Sequence, residues 1–282
     1  MMVFDASGRQ KVRVLGAGAL PGGIAALPGG RSVFVANYTG MVSKIDIETG
    51  QLLDQIQTGG GATGLVLTPD ARRLYVSNRT AHTVSVVDVE KSQVVTDIKV
   101  GHGPAHMDIS RDGRHVYVSD SISDEISVID TETNRVIQTV PVGEMPAGIA
   151  VTPDDRFVFV ADYPKGIRII ETSSWSTITV LAADSFPAGM AVDPSGEFLY
   201  VTNVSTDNLI VVDIARRQIV DRIPVGRTPV QIQISKNGRF GYVLNEASND
   251  MSVVDLQTRR VVWTVPVGER PSGVTVVSRE SR

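Results

Sequence analysis

Residues 187–203 read Pro187-Ala-Gly-Met-Ala-Val-Asp-Pro-Ser-Gly-Glu-Phe-Leu-Tyr-Val-Thr-Asn203. Two short apolar runs flank an Asp-Pro-Ser-Gly turn. Alternating side chains suit a pleated strand, and Pro and Gly supply the turn dihedrals, so the stretch reads as a β-hairpin. It also recurs. Its first residue is one of seven anchors, Pro21, Ala62, Pro104, Pro146, Pro187, Pro229 and Pro271, spaced 41 or 42 residues apart. Sixteen residues after the first six stand Asn37, Asn78, Asp120, Asp162, Asn203 and Asn245. Sixteen residues before all seven stand Asp5, Asp46, Asp88, Asp130, Glu171, Asp213 and Asp255. Two landmarks in step along a whole chain, with several short strands in each interval, predict a β-propeller with one blade per repeat.

The strands that end on the first landmark read Phe-Val-Ala-Asn (34–37), Tyr-Val-Ser-Asn (75–78), Tyr-Val-Ser-Asp (117–120), Phe-Val-Ala-Asp (159–162), Tyr-Val-Thr-Asn (200–203) and Tyr-Val-Leu-Asn (242–245). This resembles the YVTN family of β-propeller repeats, and the resemblance covers almost the entire chain. It implies the fold strongly and an activity weakly. Members of the family are often exported or surface-associated repeat proteins. Similar propellers include lactonases and lyases, which use a metal or acid–base residues at the channel mouth.

Within the third repeat the alternation predicts strand A over 105–110, B over 115–119, C over 125–130 and D over 135–141. The Asp and Asn landmarks read as turn and loop chemistry, with side chains capping free backbone N–H groups. Strands A, C and D each occur seven times and B six. The N-terminus supplies a C (about 2–5) and a D (about 11–15), and the C-terminus supplies an A (272–277). The expectation is a single all-β domain over 1–282: a seven-bladed propeller of four-stranded antiparallel blades beginning near 21, 62, 104, 146, 187 and 229. The closing blade is composite, from 271–282 plus 1–20, with three strands. Sharing it between the termini hides sheet edges. A six-bladed ring is the alternative. The last blade either tolerates the gap at strand B or loses that strand with chain outside this sequence.

Composition agrees. Aromatics are 5%, Gly numbers 26 and Pro 14, as a fold rich in Val, Ile and turns requires. A net charge of −4 with mixed signs and no basic run argues against nucleic acid. No apolar stretch nears the roughly 18 residues of a membrane span. The chain opens without a signal-peptide pattern, so it reads as cytoplasmic as it stands, or exported if a leader has been removed. There is no cysteine, which removes disulfides, thiol catalysis and Cys-ligated zinc. Nucleophile-elbow, P-loop and His-Glu-x-x-His motifs are absent, and Gly59-Gly-Gly61 opens no helix.

Function must therefore lie where the repeats disagree. Two residues past each anchor stand Gly23, Gly64, His106, Gly148, Gly189, Gln231 and Gly273; four past stand Ala25, Val66, Asp108, Ala150, Ala191, Gln233 and Thr275. Small residues suit strand A near a crowded axis, and the third and sixth repeats break that rule twice each. In a seven-fold ring those two blades nearly face each other across the channel. Buried polar groups need partners, so the readings are a ligand, metal or water held between them, or a satisfied network such as His106 with Asp108. His82 and His102 fall on nearby loops, and with His106 and Asp108 or Asp120 they form a candidate divalent-metal set. Their spacing matches no standard motif. His115 reads as plain surface. The D–A and B–C loops share one face, where Tyr38, Tyr163, Glu144, Asp184, Arg227, Glu246, Glu269 and Arg270 gather, and Ala182–Phe186 is the most irregular loop.

The expected function is a monomeric scaffold that binds a small molecule or protein at this face and the channel mouth. Its contact residues would be Gln231, Gln233, His102, His82, Tyr38, Tyr163, Arg227 and Glu144. The alternative is a lactonase- or lyase-like enzyme with His106 as general base or ligand, Asp108 orienting it, and Gln231 and Gln233 holding a substrate carbonyl.

Overall fold

Strand β1 (Met2–Phe4) pairs antiparallel with β2 (Lys11–Val14) at the start of the chain. The computed structural model describes residues 1–4, 10–18, 20–183 and 186–277; the expected landmark Asp5 and the loop residue Asp184 lie outside them. Six four-stranded sheets follow, each with its strands in chain order. The first holds β3 (Pro21–Ala26), β4 (Ser32–Asn37), β5 (Met41–Asp46) and β6 (Leu52–Gln57). The second holds β7 (Ala62–Leu67), β8 (Arg73–Asn78), β9 (Thr83–Asp88) and β10 (Gln93–Lys99). The third holds β11 (Pro104–Ile109), β12 (His115–Asp120), β13 (Glu125–Asp130) and β14 (Arg135–Pro141). The fourth holds β15 (Ile149–Val151), β16 (Phe157–Asp162), β17 (Gly166–Glu171) and β18 (Ser176–Leu181). The fifth holds β19 (Pro187–Val192), β20 (Phe198–Asn203), β21 (Asn208–Asp213) and β22 (Gln218–Pro224). The sixth holds β23 (Pro229–Ile234), β24 (Phe240–Asn245), β25 (Asp250–Asp255) and β26 (Arg260–Pro266). The fold is an all-β propeller of four-stranded antiparallel blades, and the described residues contain no helix.

The chain divides into two compact units: Gly16–Ile149 form the body of one, and Met1–Leu15 with Ala150–Val276 form the other. In the first unit, blades pack face to face through alternating apolar side chains. Phe34, Val42 and Ile56 of blade one meet Leu74, Val76 and Val87 of blade two. On the other face of blade two, Tyr75, Val84 and Val86 meet Val116, Val118 and Ile129 of blade three. In the second unit, Tyr200, Leu209 and Val211 of blade five meet Ile232, Val243 and Val254 of blade six. Each fully buried aliphatic or aromatic side chain contributes about 1.5–3 kcal/mol. The β-branched residues of strands B and C therefore hold each stack of blades together.

The outer face of blade six shows how the termini contribute. Tyr242, Leu244, Met251 and Val253 are covered by Phe4 from β1 and by Val274 and Val276 from the other end of the chain. Residues 272–277 were expected to form strand A of the closing blade, and they run there without a ladder. In every complete blade strand A bonds only strand B. No described strand occupies the B position next to β1, and the segment packs on blade six through Val274 and Val276.

Two landmarks resolve into two chemistries. The set that stands sixteen residues before the anchors is turn chemistry, as the sequence predicts. Asp46 Oδ1 accepts from the N–H groups of Glu48 (2.9 Å) and Thr49 (2.7 Å), and Asp130 Oδ1 accepts from Thr133 N–H (2.7 Å) and Oγ1 (2.6 Å). The set that stands sixteen residues after the anchors departs from that expectation. Its members are buried, and most reach across to strand C. Asn37, Asn78 and Asn245 donate through Nδ2 to Ser43 (3.1 Å), Ser85 (2.8 Å) and Ser252 (2.9 Å). Asp120 instead accepts from Ser127 Oγ (2.7 Å), and Asp162 accepts from Arg168 Nε (2.6 Å). In blade five the strand C residue is Ile210, and there Asn203 keeps the turn role, accepting from Ser205 N–H (3.1 Å) and Oγ (2.9 Å).

Candidate functional site

The motif's third residue explains how strand A is held. Ser77 Oγ accepts from Gly64 N–H (2.8 Å) and donates to the Ala105 carbonyl of the next blade (2.7 Å). Ser119 Oγ accepts from His106 N–H (3.1 Å), and Thr202 Oγ1 from Gly189 N–H (2.8 Å). Glycine two past the anchor is then a packing requirement. A Cβ at Gly23, Gly64 or Gly189 would run into the carbonyl oxygen of Thr63, Ala105 or Val230, the residue one past the anchor in the following blade.

His106 replaces that glycine in blade three and uses the same neighbour differently. Its ring hydrogen-bonds the backbone of Ala147, the residue one past the next anchor. Because this bond favours the protonated ring, the Ala147 carbonyl is the acceptor. The other ring nitrogen, Nδ1, is shielded from solvent and has no partner among the described residues. The residue as a whole is half-buried. Burial holds the imidazole below its ordinary pKa, and the positive charge of Arg79 acts in the same direction. The ring thus bonds the next blade, and the expected network of His106 with Asp108 does not satisfy it. Asp108 lies two residues along β11, half-buried, and accepts from Ile109 N–H (2.9 Å), leaving His106 Nδ1 unmatched.

Four of the other buried orphans carry less weight because they recur in register. Asn37 Oδ1, Asn78 Oδ1, Asp120 Oδ1 and Asn245 Oδ1 are all shielded and unpartnered. An orphan at one position in four blades is a property of the repeat. His106 Nδ1 has no counterpart in any other blade, because no other strand A carries a histidine there.

The loop entering blade three gathers two of the predicted histidines. The rings of His82 and His102 lie 4.5 Å apart at 55°. Gly103 N–H donates to His82 Nδ1 (3.1 Å), and His102 N–H donates to Ser123 Oγ (2.9 Å). The wider metal set does not assemble: among the described residues no three His, Asp or Glu side chains converge as ligands. Asp120 lies under the same loop, fully buried, and burial raises its pKa to about 7 despite the hydrogen bond from Ser127. His115 is half-buried, its N–H on Ser110 Oγ (2.9 Å).

The remaining predicted residues scatter. Tyr38 is exposed at the head of the β4–β5 connection, with its N–H on the Leu20 carbonyl (3.1 Å). Glu144 is exposed. In the second unit Tyr163 stacks on Phe186 at 4.3 Å. Arg227 is exposed, with Nη2 on the Ala247 carbonyl (3.4 Å), and Glu246 pairs with Arg270 at 2.8 Å. On β23 Gln231 is half-buried against Gly189, whereas Gln233 is exposed. Sequence reasoning overlooked Arg79. Its position, directly after the landmark, holds Tyr38, Arg79, Ser121, Tyr163, Val204 and Glu246 across the repeats. Reading down that column was the available signal.

Comparison with known proteins supports this architecture. The model for YNCE-like β-propellers matches residues 1–108 and 54–156, together more than half of the chain. The model for seven-bladed β-propeller lactonases matches residues 162–277. No curated protein matches the sequence. Kuenenia stuttgartiensis hydrazine synthase is similar in structure, with a TM-score of 0.81 at 21% identity over 93% of this chain and 91% of the other. A functionally unknown protein from Desulfotomaculum acetoxidans DSM 771 has a TM-score of 0.85 at 16% identity over 99% and 96%. Identities this low speak for the fold alone. With the YVTN-type motif ending strand B in all six complete blades and the family model spanning more than half its length, the chain belongs to the YNCE-like β-propeller family.

Proposed function

We propose that the chain is a ligand-binding scaffold whose contact residues lie at the head of strand A and on the loops above it, centred on His106. The observation that carries this reading is His106 Nδ1, a shielded nitrogen without a partner at a position where five repeats place glycine. An unpaired buried polar atom costs about 1–3 kcal/mol, and a ligand group that bonds it recovers that cost. His82 and His102, paired on the adjacent loop, supply further polar contacts.

A second reading, a lactonase-like enzyme, is favoured by the match over 162–277. It would take His106 as general base, since a neutral imidazole with a free nitrogen can accept a proton. Two observations weigh against it. The match covers β23, with Gln231 and Gln233, and not β11. Asp108 also does not orient the free nitrogen. A screen of lactones and esters, with and without divalent metal ions, separates the readings. The scaffold reading expects no turnover, and turnover abolished by His106→Ala would replace it with the enzyme.

A further inference from the structure

Arg79 opens the β8–β9 connection of blade two. It is half-buried, and among the described residues its guanidinium makes neither an ion pair nor a hydrogen bond. The largely buried Arg168 is matched to Asp162, and even the exposed Arg270 is matched to Glu246. A guanidinium that gives up water without a counter-charge is costly, and its planar fork suits a carboxylate or phosphate.

Its placement follows from backbone and side-chain ties. Arg79 N–H donates to the Gly61 carbonyl (2.8 Å). Two residues earlier, Ser77 Oγ is fastened to the carbonyl of Ala105, the residue before His106. The head of β8 is thereby fastened to the head of β11, and the charge of Arg79 is felt at the His106 ring. Among the described residues Arg79 thus lacks an anion, and the imidazole on which its charge acts has one nitrogen uncommitted.

We infer that Arg79 and His106 form an oxyanion site that takes the carboxylate or phosphate group of a small ligand. The inference rests on the scaffold reading and names its ligand class. The guanidinium would hold two oxygens through parallel N–H bonds. His106 would take a proton from solvent at Nδ1 and donate it to the same group, while its other nitrogen keeps the Ala147 carbonyl. The anion's charge offsets the repulsion that Arg79 exerts on the imidazolium.

The test is imidazole nitrogen NMR on the full chain at neutral pH, titrated separately with inorganic phosphate and succinate against a chloride control. Four histidines make assignment simple, with His106→Gln identifying its own signal. The His106 signal should move saturably toward the imidazolium pattern with at least one anion, and the stronger arm tells phosphate from carboxylate. Arg79→Gln should weaken that titration about tenfold or more, Arg79→Lys less. Neither should lower the melting temperature, because the side chain has no partner to lose. A His106 signal unmoved by both anions, or an Arg79→Gln titration equal to wild type, overturns the oxyanion assignment. If neutral acetamide moves His106 where the anions do not, the scaffold reading survives without it; if nothing moves His106, both fall.

Discussion

Asp120 shows what a single residue changes inside a repeat. Four sister blades place a neutral Asn where blade three places a carboxyl, and no cation accompanies it. Burial raises its pKa to about 7, and the nearby charge of Glu125 pushes the same way. The folded chain therefore binds this proton more tightly than the unfolded chain, whose carboxyl titrates near 4. The resulting stability is complete below about pH 4 and is lost as pH rises through about 7. Asp120→Asn, which restores the sister residue, should stabilise the protein at pH 8 by roughly 1–3 kcal/mol and by clearly less at pH 5. Urea denaturation at the two pH values checks this, and an equal effect at both would show that the carboxyl is not the cause. Residue-level legibility was uneven. His106 stood out because the repeat predicts glycine at its position. Arg79 did not, because a charge on a connection reads as solvated surface until its neighbours are known.

At the scale of the strand, the link between B and C is the element's most variable part. In blade four the Asn–Ser pair becomes Asp162–Arg168, at 2.6 Å with both side chains largely withdrawn from water. Arg168 also reaches Thr177 Oγ1 (3.1 Å), so it ties three strands together. Removing one member leaves a buried charge, which costs about 3–5 kcal/mol, whereas replacing both is often nearly neutral. Arg168→Ser should thus destabilise by that amount, and Asp162→Asn with Arg168→Ser, which rebuilds the pair of blade one, should recover most of it. Chemical denaturation of the two singles and the double closes the cycle, and additive losses would refute the pairing. The outer strands show a second regularity. Leu53, Val95, Ile137, Val220 and Val262 each sit in a one-residue bulge and are exposed. A bulge interrupts the ladder, so these edges are poor templates for another strand. Strand positions were legible from alternation to within a residue or two. The cross-strand partner of the buried Asn was not, because period two assigns a face and says nothing about which side chains meet there.

For the whole molecule, the N-terminal pair of strands is the decisive piece. Phe4 covers Tyr242, Leu244 and Met251, and Leu15 N–H bonds the Met1 carbonyl (2.9 Å). Deleting residues 2–15 should expose that face and lower the melting temperature by several degrees, as loss of the half-buried Phe4 contact of about 1.5–3 kcal/mol implies. An unchanged melting temperature by differential scanning calorimetry would show that β1 and β2 contribute nothing. By itself the sequence determined the period, the four strands of each complete blade, the turn role of Asp46 and Asp130, and the positions where blade three departs from its sisters. These are local properties: alternation, turn chemistry and a repeating ruler act over a few residues at a time. Only the tertiary structure decided that Ser77 is fastened to Ala105, 28 residues away, that His106 bonds Ala147, and that among the described residues Arg79 has no acid paired with it. Those pairings depend on how one blade's face lies on the next. Burial then sets the energy of each polar atom by the partner it finds.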